Sequence, residues 1–162
     1  MNNYPVLPAE ESDKEEILAL YRSMIGGKAD WNDDYPSIET IEFDLSRNAL
    51  YIMKNENSEI IAAISIDEDD EVENLPCWNK ELQPAGELSR LCVRKDMQNR
   101  GIARVMMNHT FNILKNQGKK NVHIIVRPEH KAALKSYSHL DFKTVGECEL
   151  FGKSFVCLER KL

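Results

Sequence analysis

The stretch Val93-Arg94-Lys95-Asp96-Met97-Gln98-Asn99-Arg100-Gly101-Ile102-Ala103 leaves an apolar run and enters a helical period through a glycine-marked turn. Such a turn can bind an anion. The leading amides of a helix have no partner within it, and their dipoles favour a phosphate at that end. Gly101 lets the backbone approach a ligand where a side chain would obstruct, and Ala103 keeps the next turn small. Arg100 can add a charge-assisted contact. Neither GxGxxG nor GxxxxGK followed by Ser or Thr occurs, so the turn does not name its anion. On patterning alone it suits an exposed tight turn equally well.

Two residues can move protons nearby. Glu87 begins the strand that feeds the turn, and a carboxylate accepts a proton. Tyr137 follows the next strand, and its phenol stays protonated near neutral pH and can donate. Adjacent parallel strands would bring both to one cleft. Each also has an ordinary reading, Glu87 as a surface acid at a strand entrance and Tyr137 as a packed core ring. Cys92 with His109, His123, His130 or His139 lacks a nucleophile motif, and a small buried thiol is common. His123 alternates with apolar neighbours. No His and Cys set has zinc-ligand spacing, so no metal is expected.

The elements that must position these groups follow from period and punctuation. Ser12, with Glu15 three residues on, reads as the cap of a helix through Ile17, Leu18, Leu20, Tyr21 and Ile25, stopped at Gly26-Gly27. Ser37 caps a second helix carrying Ile38, Ile41 and Leu45. Residues 50–53 and 60–66 read as a hairpin. Six acids among residues 67–73 read as a solvated loop. Strand 87–93 precedes a helix over 101–117 with Ile102, Val105, Met106, His109 and Ile113 on one side, closed by Gly118. Strand 122–126, helix 130–139 and strands 142–149 and 155–158 complete the chain. This order predicts a mixed, partly parallel α/β sheet with helices on both faces.

A length of 162 residues and an apolar content of 42% fit one domain, residues 1–162. Twenty-seven acids against 21 Lys and Arg give a net charge of -6, which disfavours nucleic acid and anionic membranes. No basic start leads an apolar run, and no apolar stretch reaches about 18 residues, so neither signal peptide nor membrane span is expected. Cys77, Cys92, Cys148 and Cys157 read as free thiols of a cytoplasmic protein.

The phosphate turn resembles that of the GNAT N-acetyltransferase superfamily, whose pattern V-x-x-x-x-Gln/Arg-x-x-Gly-x-Gly/Ala is matched by Val93, Gln98, Gly101 and Ala103. A second stretch, His130 to Phe142, resembles N-x-x-A-x-x-L-Y-x-x-x-G-F and matches at Ala133, Tyr137 and Phe142. His130, Ser136 and Asp141 depart from it, standing where asparagine, leucine and glycine are frequent. The resemblance implies acetyl-CoA as cofactor. Gln98, Asn99, Arg100, Gly101, Ile102 and Ala103 would cradle its pyrophosphate, Leu91, Cys92 and Val93 would line its pantetheine arm, and His130 and Ala133 would contact it. It further implies Glu87 as relay for the amine proton and Tyr137 as proton donor to the departing thiolate.

The expected reaction is direct acetyl transfer to a primary amine, on a small molecule or a peptide, with acceptor contacts from Trp31, Asp33, Asp34, Tyr35, Glu39 and Glu42. A noncatalytic acyl-CoA-binding regulator or scaffold is the alternative. A homodimer is left open.

Overall fold

The computed structural model describes residues 3–162; Met1 and Asn2, the first residues of the domain read over 1–162, lie outside the described residues. Runs of period two and period 3.6 settle into the expected order. Strand β1 (Val6–Pro8) is followed by helices α1 (Lys14–Ser23) and α2 (Ile38–Ser46), then strands β2 (Leu50–Lys54) and β3 (Ile60–Asp67). A short α3 (Asp70–Glu73) precedes β4 (Ala85–Val93), α4 (Ile102–Asn116), β5 (Asn121–Val126), α5 (Lys131–Ser138), β6 (Lys143–Leu150) and β7 (Lys153–Lys161).

The strands form one sheet in the order β1-β2-β3-β4-β5-β7-β6. It is mostly antiparallel, and the hairpin β2–β3 pairs as expected. The parallel component is β4 against β5, with Ala85, Gly86 and Glu87 in register with Asn121, Val122 and His123. A parallel pair needs a long crossover, and α4 supplies it.

The chain divides into two compact units that share β4 and α4, Met1–Ile66 with Arg90–His109, and Asp67–Ser89 with Thr110–Leu162. The first unit packs α1 and α2 through Ile17, Leu18, Tyr21 and Ile41 with Ile52, Ala63 and Cys92 of the strands. Trp31 meets the Tyr21 ring edge-on at 5.4 Å. Buried among these elements, Asp44 accepts from both Arg90 and Arg47 and from the Ser65 hydroxyl.

In the second unit Val72, Trp78 and Cys157 are buried against Ile125, Val145 and Leu150. A Cβ at Gly86 would stand 2.5 Å from Leu114 Cδ2 of α4, so a side chain there would displace the buried Leu114. All four cysteines are free thiols. Among the described residues no helix is long and apolar enough to cross a membrane.

Three local expectations change. Ser12 does not cap α1; it lies inside a 3-10 turn, Glu11–Asp13, and Glu10 N donates to Asp13 Oδ2 at 2.8 Å. The acidic run is not all loop. Asp69 caps α3 through its side chain, and Val72 is buried, so one apolar residue at the right place outweighs the surrounding charge. On α4 the fully buried stripe is Met106, Met107, Thr110 and Leu114, while Val105 is 47% exposed. By contrast Ser37 caps α2 as read, accepting from Thr40 N at 3.3 Å.

Candidate active site

The phosphate turn is built by a sequence of backbone reversals. After β4, Lys95–Met97 make a 3-10 turn, Gln98 is extended, Asn99 takes φ 61° and Gly101 φ 80°, and α4 begins at Ile102. A left-handed φ is costly for most side chains and free for glycine. A Cβ on Gly101 would meet nothing within 4 Å, so no packed neighbour in the protein requires glycine there. The face it leaves bare is the open head of a 15-residue helix. Gln98 Nε2 donates to the Val93 carbonyl at 3.0 Å, tying the turn to the strand end. Arg94 is held by Asp96 at 2.7 Å, whereas Arg100 is exposed. Ile102 is buried and anchors the first turn of α4, with Ala103 half-buried beside it. A helix head with open space at Gly101 and the exposed Arg100 beside it fits a pyrophosphate.

Along the end of β4, Leu91 and Val93 are half-buried and Cys92 points into the core of the first unit. Burial pushes the Cys92 thiol up to about 12, so it is protonated at neutral pH and unsuited to nucleophilic attack. Any contact from Cys92 to a ligand is therefore a backbone contact. Arg90, one turn of the pleat earlier, has φ 52°, which breaks the regular strand. Its guanidinium reaches Asp44 at 2.9 and 3.0 Å and donates to Tyr35 Oη at 3.0 Å.

The second unit holds Glu87 and Tyr137, the two residues expected from the sequence to move protons. Glu87 is buried, 7% exposed, on β4 opposite His123 of β5. Tyr137, on α5, is equally buried, and its ring packs on Phe142 at 5.7 Å. Burial raises its phenol to about 12, so the proton stays on Oη at neutral pH. His130 stands at the N-terminus of α5 with its imidazole pKa lowered by burial, Ala133 is half-buried on that helix, and Ser136 is exposed. Asp141, where the resembled pattern has glycine, takes φ 66°, a conformation aspartate tolerates better than most residues.

Of the acceptor-side candidates, Trp31 belongs to the core against Tyr21, and Asp33 and Asp34 are exposed. Asn32 Oδ1 accepts from the amides of Asp34 and Tyr35, fixing this loop. Among the described residues no His, Cys, Asp and Glu cluster could hold a metal ion.

Two arrangements went unread in the sequence. The Arg90–Asp44 pair joins residues far apart in the chain, although a lone arginine in an apolar strand and an aspartate inside an apolar helix were signals for it. The stacking of Trp78 on His123, with centroids 4.4 Å apart and planes 10° from parallel, left no signal in spacing.

Residues 15–142 match the acetyltransferase (GNAT) family. Solved structures share the fold at low identity. A GNAT-family acetyltransferase from Staphylococcus aureus Mu50 is 18% identical with a TM-score of 0.74, over 97% of this chain and 98% of that one. The ribosomal-protein-alanine N-acetyltransferase of Brucella melitensis is 16% identical with a TM-score of 0.76, over 98% and 99%. The NatC complex bound to Gag peptide and CoA is 18% identical with a TM-score of 0.76, over 99% of each chain. No curated protein sequence matches the chain.

Proposed function

Since the chain belongs to the acetyltransferase (GNAT) family, we propose that it transfers the acetyl group of acetyl-CoA directly to a primary amine within a ternary complex. The observation that carries this reading is Gly101, at φ 80° with open space in front of it, at the head of α4. The family match runs through segments of both units, which supports reading residues 1–162 as one N-acetyltransferase domain. A cytoplasmic setting accords with four free thiols.

Residues Gln98 to Ala103 form the pyrophosphate cradle, with Arg100 adding charge at the rim. The backbone of Leu91, Cys92 and Val93 lies along the pantetheine arm, and His130 and Ala133 contact the cofactor from α5. When bound, acetyl-CoA supplies the acyl group as a thioester. Glu87 takes the proton of the acceptor ammonium, leaving a neutral amine to form the new C–N bond. Tyr137 Oη, protonated because its burial disfavours the phenolate, gives its proton to sulfur as the C–S bond breaks, and the second proton shed by the nitrogen as the amide forms returns to the phenolate through solvent. The acceptor is a small-molecule or peptide amine, met by the exposed carboxylates of Asp33 and Asp34. Two similar folds, an alanine N-acetyltransferase of a ribosomal protein and a complex bound to a peptide, favour including peptides. The test is acceptor-dependent release of the coenzyme thiol from acetyl-CoA across a panel of polyamines, amino acids, aminoglycosides and peptides.

A further inference from the structure

Cys77, Cys148 and Cys157, three of the four cysteines, come together on one face of the second unit. They arrive from three segments: Cys77 from the stretch between α3 and β4, Cys148 from β6 and Cys157 from β7. Packing alone does not call for three thiols, since other small apolar side chains would fill the same space. Cys157 is wholly buried, whereas Cys77 and Cys148 are half-buried.

Gly146 lets Cys77 reach the sheet. It stands in register with Cys157 across the β6–β7 pair, and in-register Cβ atoms lie about 4.5–5.5 Å apart on one face. A Cβ on Gly146 would meet Cys77 Cβ at 3.0 Å and its Sγ at 3.8 Å. The Cys77 side chain therefore occupies the place a β6 side chain would take beside Cys157. A disulfide needs Cβ atoms about 3.5–4.5 Å apart, which this approach allows. The Cys157 thiol is within hydrogen-bond reach of Cys77 and of Cys148. Cys148, however, is in register with Phe155 and only diagonal to Cys157. Diagonal Cα atoms about 7–8 Å apart exceed the usual disulfide span. Burial raises the thiols of both Cys77 and Cys157, and the partial exposure of Cys77 makes it the one that ionises first and meets a small oxidant.

We propose that Cys77 and Cys157 form a reversible disulfide on exposure to hydrogen peroxide, fastening the segment that carries Trp78 to β7. The Cys77 thiolate attacks one peroxide oxygen. An S–O bond forms, the O–O bond breaks, and the departing hydroxide takes up the proton Cys77 had lost. The Cys157 sulfur then displaces the hydroxyl of the Cys77 sulfenic acid, which leaves as water with the Cys157 proton. Two thiols are oxidised to one disulfide, and the peroxide is reduced to two waters. The segment is already set for this: Trp78 stacks on His123 of β5, and Asn79 N donates to Glu159 Oε2 of β7 at 3.1 Å.

The test uses the full-length protein, reduced, freed of reductant and treated with hydrogen peroxide without denaturant. Non-reducing peptide mapping by mass spectrometry should find Cys77 joined to Cys157. Free thiols should fall from four to two and return to four with dithiothreitol. Tm should rise on oxidation, because the cross-link restrains the unfolded chain. Cys148→Ser should form the same link, and Cys77→Ser should lose it. Thiols that stay at four, a link that runs through Cys148, links between chains alone, or sulfinic acid without any link would each overturn the proposal. The mapping of the wild type decides the matter even where a variant fails to fold, and it does not depend on acetyl transfer.

Discussion

Arg90 spreads one guanidinium nitrogen over both oxygens of Asp44, at 3.0 and 2.9 Å, with both side chains buried. The pair fastens α2 to β4 where Arg90 breaks the regular strand at φ 52°. Arg47 reaches the same carboxylate at 2.7 Å and Ser65 donates to it, so Asp44 is the acceptor on which the cluster depends.

Replacing that carboxylate should be expensive. Asp44→Ala leaves the buried Arg90 and the half-buried Arg47 without it, and breaking a buried pair in this way costs roughly 3–5 kcal/mol. A loss of unfolding free energy of that size, measured by urea titration, is expected. A loss below about 1 kcal/mol would mean that the pair contributes no more than an exposed one.

The phosphate turn predicts a separable effect. Gly101→Glu forces a side chain into a left-handed φ, which costs the fold about 1 kcal/mol. It also places a carboxylate in front of the helix head. Calorimetry on the folded variant should find acetyl-CoA binding weakened well beyond tenfold. Unchanged affinity would move the cofactor elsewhere.

Tyr137→Phe keeps the ring against Phe142 and deletes the donor. Loss of a general acid lowers kcat by about 10²–10⁴, while acetyl-CoA affinity should barely move. A near-native kcat, where chemistry limits turnover, would remove Tyr137 from this role. Collapsed affinity with kcat retained at saturation would make the hydroxyl a cofactor contact.

His123 also carries a pH signature. Its folded pKa of about 4 lies below an unfolded value near 6.5, so the unfolded chain binds the proton first. Stability from this group is complete above pH 6.5 and is lost as pH falls toward 4. Between pH 7 and pH 5 the wild type should lose about 2 kcal/mol that His123→Phe keeps. Glu87 and Glu159 flank the imidazole, so the comparison stops at pH 5, above most carboxylate titration. Equal acid sensitivity in the two proteins would contradict a buried neutral imidazole.

Where one residue's neighbours in sequence are its neighbours in space, the chain was legible. Ser37 at the start of α2 and Gly101 at the head of α4 are such cases, as is the hairpin of β2 and β3. The α4 stripe slipped because Val105 and Met106 are adjacent on the helical period, and only packing decides which faces inward. Charge misled at 67–73, where Val72 and the Asp69 cap were enough for a helical turn. The candidate site was legible only as positions in a pattern, with Glu87 and Tyr137 as its expected proton carriers. Its environment was not: the left-handed Arg90, its bond to Asp44, and the Trp78–His123 stack all depend on contacts between distant segments.

The central claim is that amine acetylation consumes acetyl-CoA at this site, and thiol release measured with and without acceptor tests it most directly. Acetyl-CoA is incubated with the purified protein and each member of the amine panel, and free coenzyme thiol is followed alongside the mass of the amine. We predict that thiol release is negligible without acceptor, rises saturably with at least one amine, and matches acetylated amine mole for mole. Tyr137→Phe should suppress both signals together. Tight calorimetric binding of acetyl-CoA with no amine-dependent thiol release across the panel would contradict the account and identify a noncatalytic acyl-CoA-binding protein.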